Sequence, residues 1–129
     1  MENGLRSSYG GFRDLRVFQL SYRLALEIFE ATKSFPKEER YSLVDQLRRS
    51  SRSVPANIAE AWYKRRYPKS FVNKLSDSSG EAGETEVWID FSADHGYLTA
   101  ERKVELLEKY GEVNKMLSGM INHPEKFCH

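Results

Sequence analysis

The sequence is poor in the side chains that carry most metal and nucleophilic chemistry. One residue of 129 is cysteine and three are histidine. Cys128 has no partner for an intrachain disulfide, which fits a reducing, cytoplasmic compartment. His95, His123 and His129 are far apart and show no H-x-x-H or E-x-x-H spacing, so neither a metal site nor a cofactor is expected. The G-x-S-x-G elbow, the Walker loop and the dinucleotide glycine fingerprint are also missing, and no catalytic residue is assigned. No apolar run approaches the roughly 20 residues of a membrane span, and no charged-then-apolar signal segment opens the chain. The expectation is a non-enzymatic cytoplasmic protein with no membrane partner.

Forty per cent of the residues are hydrophobic, 30% are charged and the net charge is +1, a composition suited to one globular domain. The near-zero total conceals segregation. Residues 37–69 hold nine Lys/Arg against four Asp/Glu, whereas residues 70–101 hold one Lys against seven acids. A basic segment is thus followed directly by an acidic one.

Composition and periodicity divide the chain into a flexible leader (1–12), a four-helix body (13–123) and a C-terminal tail (124–129). In the first helix, about 14–34, Phe18, Tyr22, Ala25 and Phe29 form an apolar stripe widened by Val17, Leu24 and Ile28. The second begins after Pro36, with Glu38 and Glu39 at its N-terminus, and spaces Leu43, Leu47, Ser50, Val54, Ile58 and Trp62 by three or four. That phase passes through Pro55. It implies one long helix kinked at the proline, with nearby serine hydroxyls compensating the Ser51 carbonyl for its lost donor; a full break is the alternative.

The third helix, 70–95, carries Phe71, Leu75, Ser78, Ala82, Thr85 and Ile89 on one face. Its small central residues suit the close approach of a neighbour, although two interior glycines cost about 1 kcal/mol each relative to alanine. Val87, Trp88 and Phe91 cluster roughly opposite and are read as an oligomer interface, with burial in a bundle groove or beneath the leader as the alternative. Gly96 is placed to cap this helix and Thr99 to start the next, which runs to about 122 with Leu106, Tyr110, Val113, Leu117 and Met120 inward. Four amphipathic helices with short connections predict an all-α, up-down-up-down four-helix bundle.

The basic segment is the main candidate for function. Arg48, Arg49 and Arg52 lie within about one helical turn, and Lys64, Arg65 and Arg66 follow at the end of the same helix. Trp62, Tyr63 and Tyr67 among them suit base stacking while the cations contact RNA or DNA phosphates. A purely structural role competes with this, because Asp45 can pair with Arg49 at i,i+4 and the acids of the third helix can neutralise the rest. Asp77, Glu81 and Glu84 share one stripe of that helix and Glu86, Asp90 and Asp94 another, a pattern better suited to surface pairing than to catalysis.

The pattern FxxLxVxQLSYxLALxIFxxTxSFPxxExYxLxxQLRRSSxSVPANIAEAW, followed by SSGEAGETEVWIDFSADHGYL, resembles the four-helix-bundle proteins encoded in intervening sequences of bacterial 23S ribosomal RNA. That family includes the accessory variability proteins of diversity-generating retroelements. The resemblance covers residues 12–122 and implies a homo-oligomer assembled as a ring, commonly a pentameric barrel, with no known enzymatic activity. Retroelement members bind nucleic acid on a basic surface and associate with a reverse transcriptase. The matching basic positions are Arg48, Arg49 and Arg52, extended by Lys64, Arg65 and Arg66. The near-neutral charge, the acidic third helix and Ala61 in place of a usual glycine depart from that pattern.

Overall fold

The computed structural model describes residues 10–129, so residues 1–9 of the leader lie outside it. Four helices make up the body: α1 (Arg16–Thr32), α2 (Leu43–Tyr63), α3 (Pro68–Asp94) and α4 (Ala100–Asn122). Short 3-10 turns occupy Phe12–Asp14, Lys37–Glu39 and Pro124–Lys126. Contacts between neighbours show each pair to be antiparallel. Arg48 near the start of α2 reaches Thr32 at the end of α1, while Phe12 lies against Tyr63 at the other end. Ser78 meets Val54 and Thr85 meets Ser50 across α2 and α3. Ser79 meets Asn114, and Asp90 meets Lys103, across α3 and α4. Arg102 meets Glu27 to close the circuit between α4 and α1. This is the expected all-α four-helix bundle.

The core faces of α2, α3 and α4 are those the spacing predicts. Leu47, Val54 and Ile58 on α2, Phe71, Leu75, Ala82 and Ile89 on α3, and Leu106, Tyr110, Val113 and Leu117 on α4 are all essentially closed to solvent. In α1 the buried set is Val17, Ser21, Leu24, Ala25, Ile28 and Thr32. The face is rotated by one residue, about 100°, from the predicted Phe18–Tyr22–Ala25–Phe29 stripe. Both stripes have helical spacing. The bundle interior takes the compact aliphatic one, and the Ser21 hydroxyl is satisfied by donating to the Phe18 carbonyl at 3.1 Å. Tyr22 and Leu26 are consequently 52% and 53% exposed.

Two predicted details at α2 are corrected. The helix begins at Leu43 rather than directly after Pro36, because residues 37–39 form a 3-10 turn instead. Its last acid, Glu39, accepts from the Ser42 hydroxyl at 2.7 Å and from the Tyr97 hydroxyl at 2.9 Å, and these bonds hold its carboxyl below the usual range. The helix then runs unbroken through Pro55, which excludes the full break. The serine hydroxyls do not compensate Ser51 as expected: Ser51 and Ser53 donate one turn earlier, to the Arg48 carbonyl at 3.3 Å and the Arg49 carbonyl at 2.9 Å.

The seam between α2 and α3 is built from small polar side chains. Ser50, Ser78 and Thr85 are fully buried there, beside Ala82. The Ser78 hydroxyl donates to the Val54 carbonyl at 2.8 Å. Thr85 Oγ1 lies 2.8 Å from both Ser50 Oγ and the Glu81 carbonyl. A hydroxyl has one proton and a carbonyl can only accept, so Thr85 donates to Glu81 and accepts from Ser50. Every hydroxyl in the seam therefore has a partner.

Elsewhere the termini follow their local chemistry. Gly96 adopts φ 81 after the last turn of α3, a conformation that costs glycine little, and Tyr97 N–H closes back on the Ser92 carbonyl at 2.8 Å. Thr99 Oγ1 accepts from the Arg102 N–H at 3.1 Å and caps α4. In the tail, the Phe127 ring stacks on core Phe71 with centroids 6.1 Å apart.

The interior glycines of α3 are not required by packing within the protomer, since a Cβ at Gly80 or Gly83 would meet nothing within 4 Å. Gly80→Ala and Gly83→Ala are each expected to raise stability by about 1 kcal/mol, read as a higher urea midpoint at unchanged slope. Tyr110 presents the opposite case. Its hydroxyl is buried and has no hydrogen-bond partner among the described residues, and burial first, then the charges of Glu27 and Glu86, push its pKa well above the usual tyrosine value. Tyr110→Phe is expected to leave urea stability unchanged or raise it by about 1 kcal/mol, because removing an unsatisfied buried hydroxyl costs nothing in contacts.

Candidate nucleic-acid interface

The six predicted cations fall into two groups. At 1.5 Å rise per residue, the arginines of early α2 stand about 20 Å from the Lys64–Arg66 turn. The groups differ in how far their charges are already engaged.

Arg48 is turned into the bundle. Its Nε donates to Thr32 Oγ1 at 2.9 Å, one terminal nitrogen lies 3.4 Å from the Phe29 carbonyl, and the guanidinium sits 4.3 Å from the Phe29 ring centroid. Thr32 in turn donates to the Ile28 carbonyl at 2.8 Å. A cation is thus fixed at the C-terminus of α1, where carbonyls lack helical partners and the helix dipole is negative. Arg49 pairs with two carboxylates of α3, with Glu81 at 3.4 Å and with Glu84, rather than with Asp45 on its own helix. Those charges hold its pKa above the usual value against the opposing effect of burial. Arg52 is exposed, with its guanidinium 5.7 Å from the Phe29 ring, and makes no ion pair with any described residue.

The second group is more open. Lys64, Arg66 and the neighbouring Lys69 are exposed and form no ion pair with any described residue. Tyr63 and Tyr67 beside them are 80% and 61% exposed. Arg65 differs: its guanidinium stacks 3.7 Å from the centroid of Trp62 and Nε donates to the Trp62 carbonyl at 2.9 Å. Burial lowers its pKa, partly opposed by nearby Cys128. Trp62 is itself buried and cannot present a free face to a base, contrary to the expectation that it would stack alongside the tyrosines. Tyr63, Arg65, Arg66 and His129 line a polar cleft of about 460 Å³ at this end of the bundle.

The acids of α3 are mostly committed to cations. Besides Glu81 and Glu84, Asp77 lies 3.9 Å from Lys74 and Asp90 lies 3.6 Å from Lys103. Glu86 is half-buried, and burial together with the Asp90 charge raises its pKa. No group of three or more His, Cys, Asp or Glu among the described residues could hold a metal ion. No helix of the described residues is long and apolar enough to cross a membrane.

Val87, Trp88 and Phe91 form a ridge near the other end of α3. Val87 and Phe91 are nearly half exposed, and Trp88 is half-buried with Nε1 donating to Glu84 at 3.2 Å. Trp88 stacks on Phe91, and the chain of rings continues through His95 and Tyr97 to buried Phe35. The sequence reading missed a second apolar surface, a groove of about 490 Å³ between α1 and α2 lined by Tyr22, Leu26, Phe29, Arg52, Pro55 and Ala56. Its signal was present in the unusually wide apolar arc of α1, which one core-facing stripe cannot absorb.

Residues 13–119 match the family model described as the 23S rRNA-intervening sequence protein. The fold is similar to a crystal structure of a protein with unknown function from the S23 ribosomal protein family of Bacteroides thetaiotaomicron VPI-5482. The two align with a TM-score of 0.74 and 31% identity, over 82% of this chain and 95% of the other. No curated protein matches the chain.

The different surroundings of the adjacent arginines lead to different expected costs of removal. Arg48→Ala removes charge-assisted bonds at the end of α1 and should lower unfolding stability by about 1–2 kcal/mol. Arg49→Ala breaks a partly exposed pair and should cost less than about 1 kcal/mol. Urea titration of both variants checks the order; equal losses would contradict it.

Proposed function

The chain belongs to the 23S rRNA-intervening sequence protein family, and we propose that it is a non-enzymatic homo-oligomer that contacts nucleic acid through the open cations at one end of its bundle. The observation that carries this proposal is the grouping of Lys64, Arg66 and Lys69, exposed and without an ion pair among the described residues, with exposed Tyr63 and Tyr67. Cations that neutralise phosphates beside ring faces that accept unpaired bases are the elements of single-strand binding without sequence readout. Arg65 lends its charge from the Trp62 ring, and Arg52 lies apart in the groove. Arg48 and Arg49 serve the fold first, so the contact shifts from the early arginines of α2 to its end.

The resemblance in sequence fills out the rest of the proposal: protomers arranged in a ring, pentameric in number, in the cytoplasm, with α2 bent at Pro55 and a reverse transcriptase as the protein partner. A second possibility, an oligomeric scaffold with no nucleic-acid role, is favoured by one observation. Arg49 is neutralised by Glu81 and Glu84 of its own chain.

The two are separated by fluorescence anisotropy with single-stranded RNA and DNA across a salt series. Binding is expected to weaken steeply with salt, and Lys64→Ala, Arg66→Ala and Lys69→Ala combined should weaken it at least tenfold and reduce the salt slope by about 2. Arg52→Ala, remote from that end, should leave it within twofold. Absence of binding at low salt, or binding indifferent to the triple substitution, would leave the scaffold.

A further inference from the structure

Two exposed apolar surfaces are left over once the bundle has formed, and they differ in shape and in charge. The α1/α2 groove is concave, with Pro55 and Ala56 on one side and Tyr22, Leu26 and Phe29 on the other. Among the described residues Arg52 is the one charged residue that lines it. The ridge is convex: Val87 and Phe91 stand one turn apart on α3, steadied by Trp88, with Asp90 and Asp94 on the same turns. Asp94 is exposed and makes no ion pair with any described residue.

From this complementarity we infer that the ridge of one copy of the chain seats in the groove of the next, head to tail. The inference rests on the homo-oligomer proposed above and names the surfaces that form it. Anchors at i and i+4 on one helix entering an apolar groove are an established mode of helix recognition. Charge selects the pairing. Asp90 is already paired with Lys103, which leaves Asp94 as the open charge of the ridge. Groove against groove would bring Arg52 toward Arg52, and ridge against ridge would bring the Asp94 carboxylates of two copies together. Groove against ridge places Arg52 near Asp94, so only the unlike pairing is attractive on both counts. Because groove and ridge occupy different helices, each copy that donates a ridge keeps its own groove free. The contact is therefore heterologous and propagates until rotation closes it into a ring.

Complementation between two defective copies tests this directly. Leu26→Asp spoils the groove and keeps the ridge; Phe91→Asp spoils the ridge and keeps the groove. By light scattering each variant alone is expected to fall to the 15.0 kDa of one chain, with wild-type helical circular dichroism. Mixed together, they are expected to form a complex of twice that mass, the intact ridge of one in the intact groove of the other. Arg52→Glu should weaken self-association at least tenfold, and adding Asp94→Arg to the same chain should restore it. This exchange uses exposed side chains only and remains informative if an apolar variant fails to fold.

A wild-type chain that is monomeric would overturn the homo-oligomer itself. An oligomer that keeps its mass in both apolar variants, or monomeric variants that do not combine, would overturn the ridge-and-groove contact while leaving oligomerisation intact. Loss of nucleic-acid binding in the Lys64/Arg66/Lys69 variant at unchanged mass bears on the other end of the bundle and leaves this contact standing.

Discussion

The bundle depends on the close seam between α2 and α3. Buried serine and threonine hydroxyls bridge these two helices at their middle, and their hydrogen bonds are closed within the seam. Buried polar groups are tolerable on that condition alone, because an unpaired hydroxyl in the same place would cost about 1–3 kcal/mol. The seam fixes the register of a basic helix against an acidic one. Arg49 then meets Glu81 and Glu84, so part of the charge segregation visible along the sequence is cancelled in space.

α1 is held by a different principle. It carries more apolar surface than the interior can absorb, and its aliphatic stripe wins the core. The aromatic residues that remain are put to use by α2: Phe29 lies under the guanidinium of Arg48 and near that of Arg52, and Arg48 also donates to the Phe29 carbonyl and the Thr32 hydroxyl in the last turn of the helix. One arginine thus serves as a C-terminal cap for a helix to which it does not belong. The same crowding leaves the groove beside Tyr22 and Leu26.

These two principles explain which features were legible in the sequence. The inward faces of α3 and α4 were, because each helix has a single stripe with helical spacing, Phe71 to Ile89 and Leu106 to Met120. The inward face of α1 was not, since Phe18–Tyr22–Ala25–Phe29 and Val17–Ser21–Leu24–Ile28 have equal periodicity and differ by one residue. The role of Arg48 was illegible for another reason: its partners, Phe29 and Thr32, lie 19 and 16 residues away and are joined to it only by the fold. Trp62 was misread in the same way, as a free stacking face, when its ring is closed off by burial and by Arg65. Lys64 and Arg66 were read as candidate phosphate contacts from their place at the end of α2, and there they are exposed and form no ion pair with any described residue.

The ridge and the open cations lie at opposite ends of the bundle with the groove between them, and this separation has a physical consequence for a chain of net charge +1. The Trp88–Phe91 ridge lies near the start of α2, whereas Lys64, Arg66 and Lys69 lie beyond its end. None of these cations lines the groove, so seating a ridge in it does not use them. Assembly instead consumes Arg52 and Asp94 in mutual pairing, while Asp90 stays with Lys103 of its own chain. A single protomer offers a polyanion only a few phosphate contacts, each sensitive to salt. An assembly repeats the same few contacts at fixed spacing, so that once one is made the others form at high effective concentration. Strong binding by a nearly neutral chain does not then require a basic protein. It requires that the acids be placed where neighbouring copies cover them and the lysines where they do not.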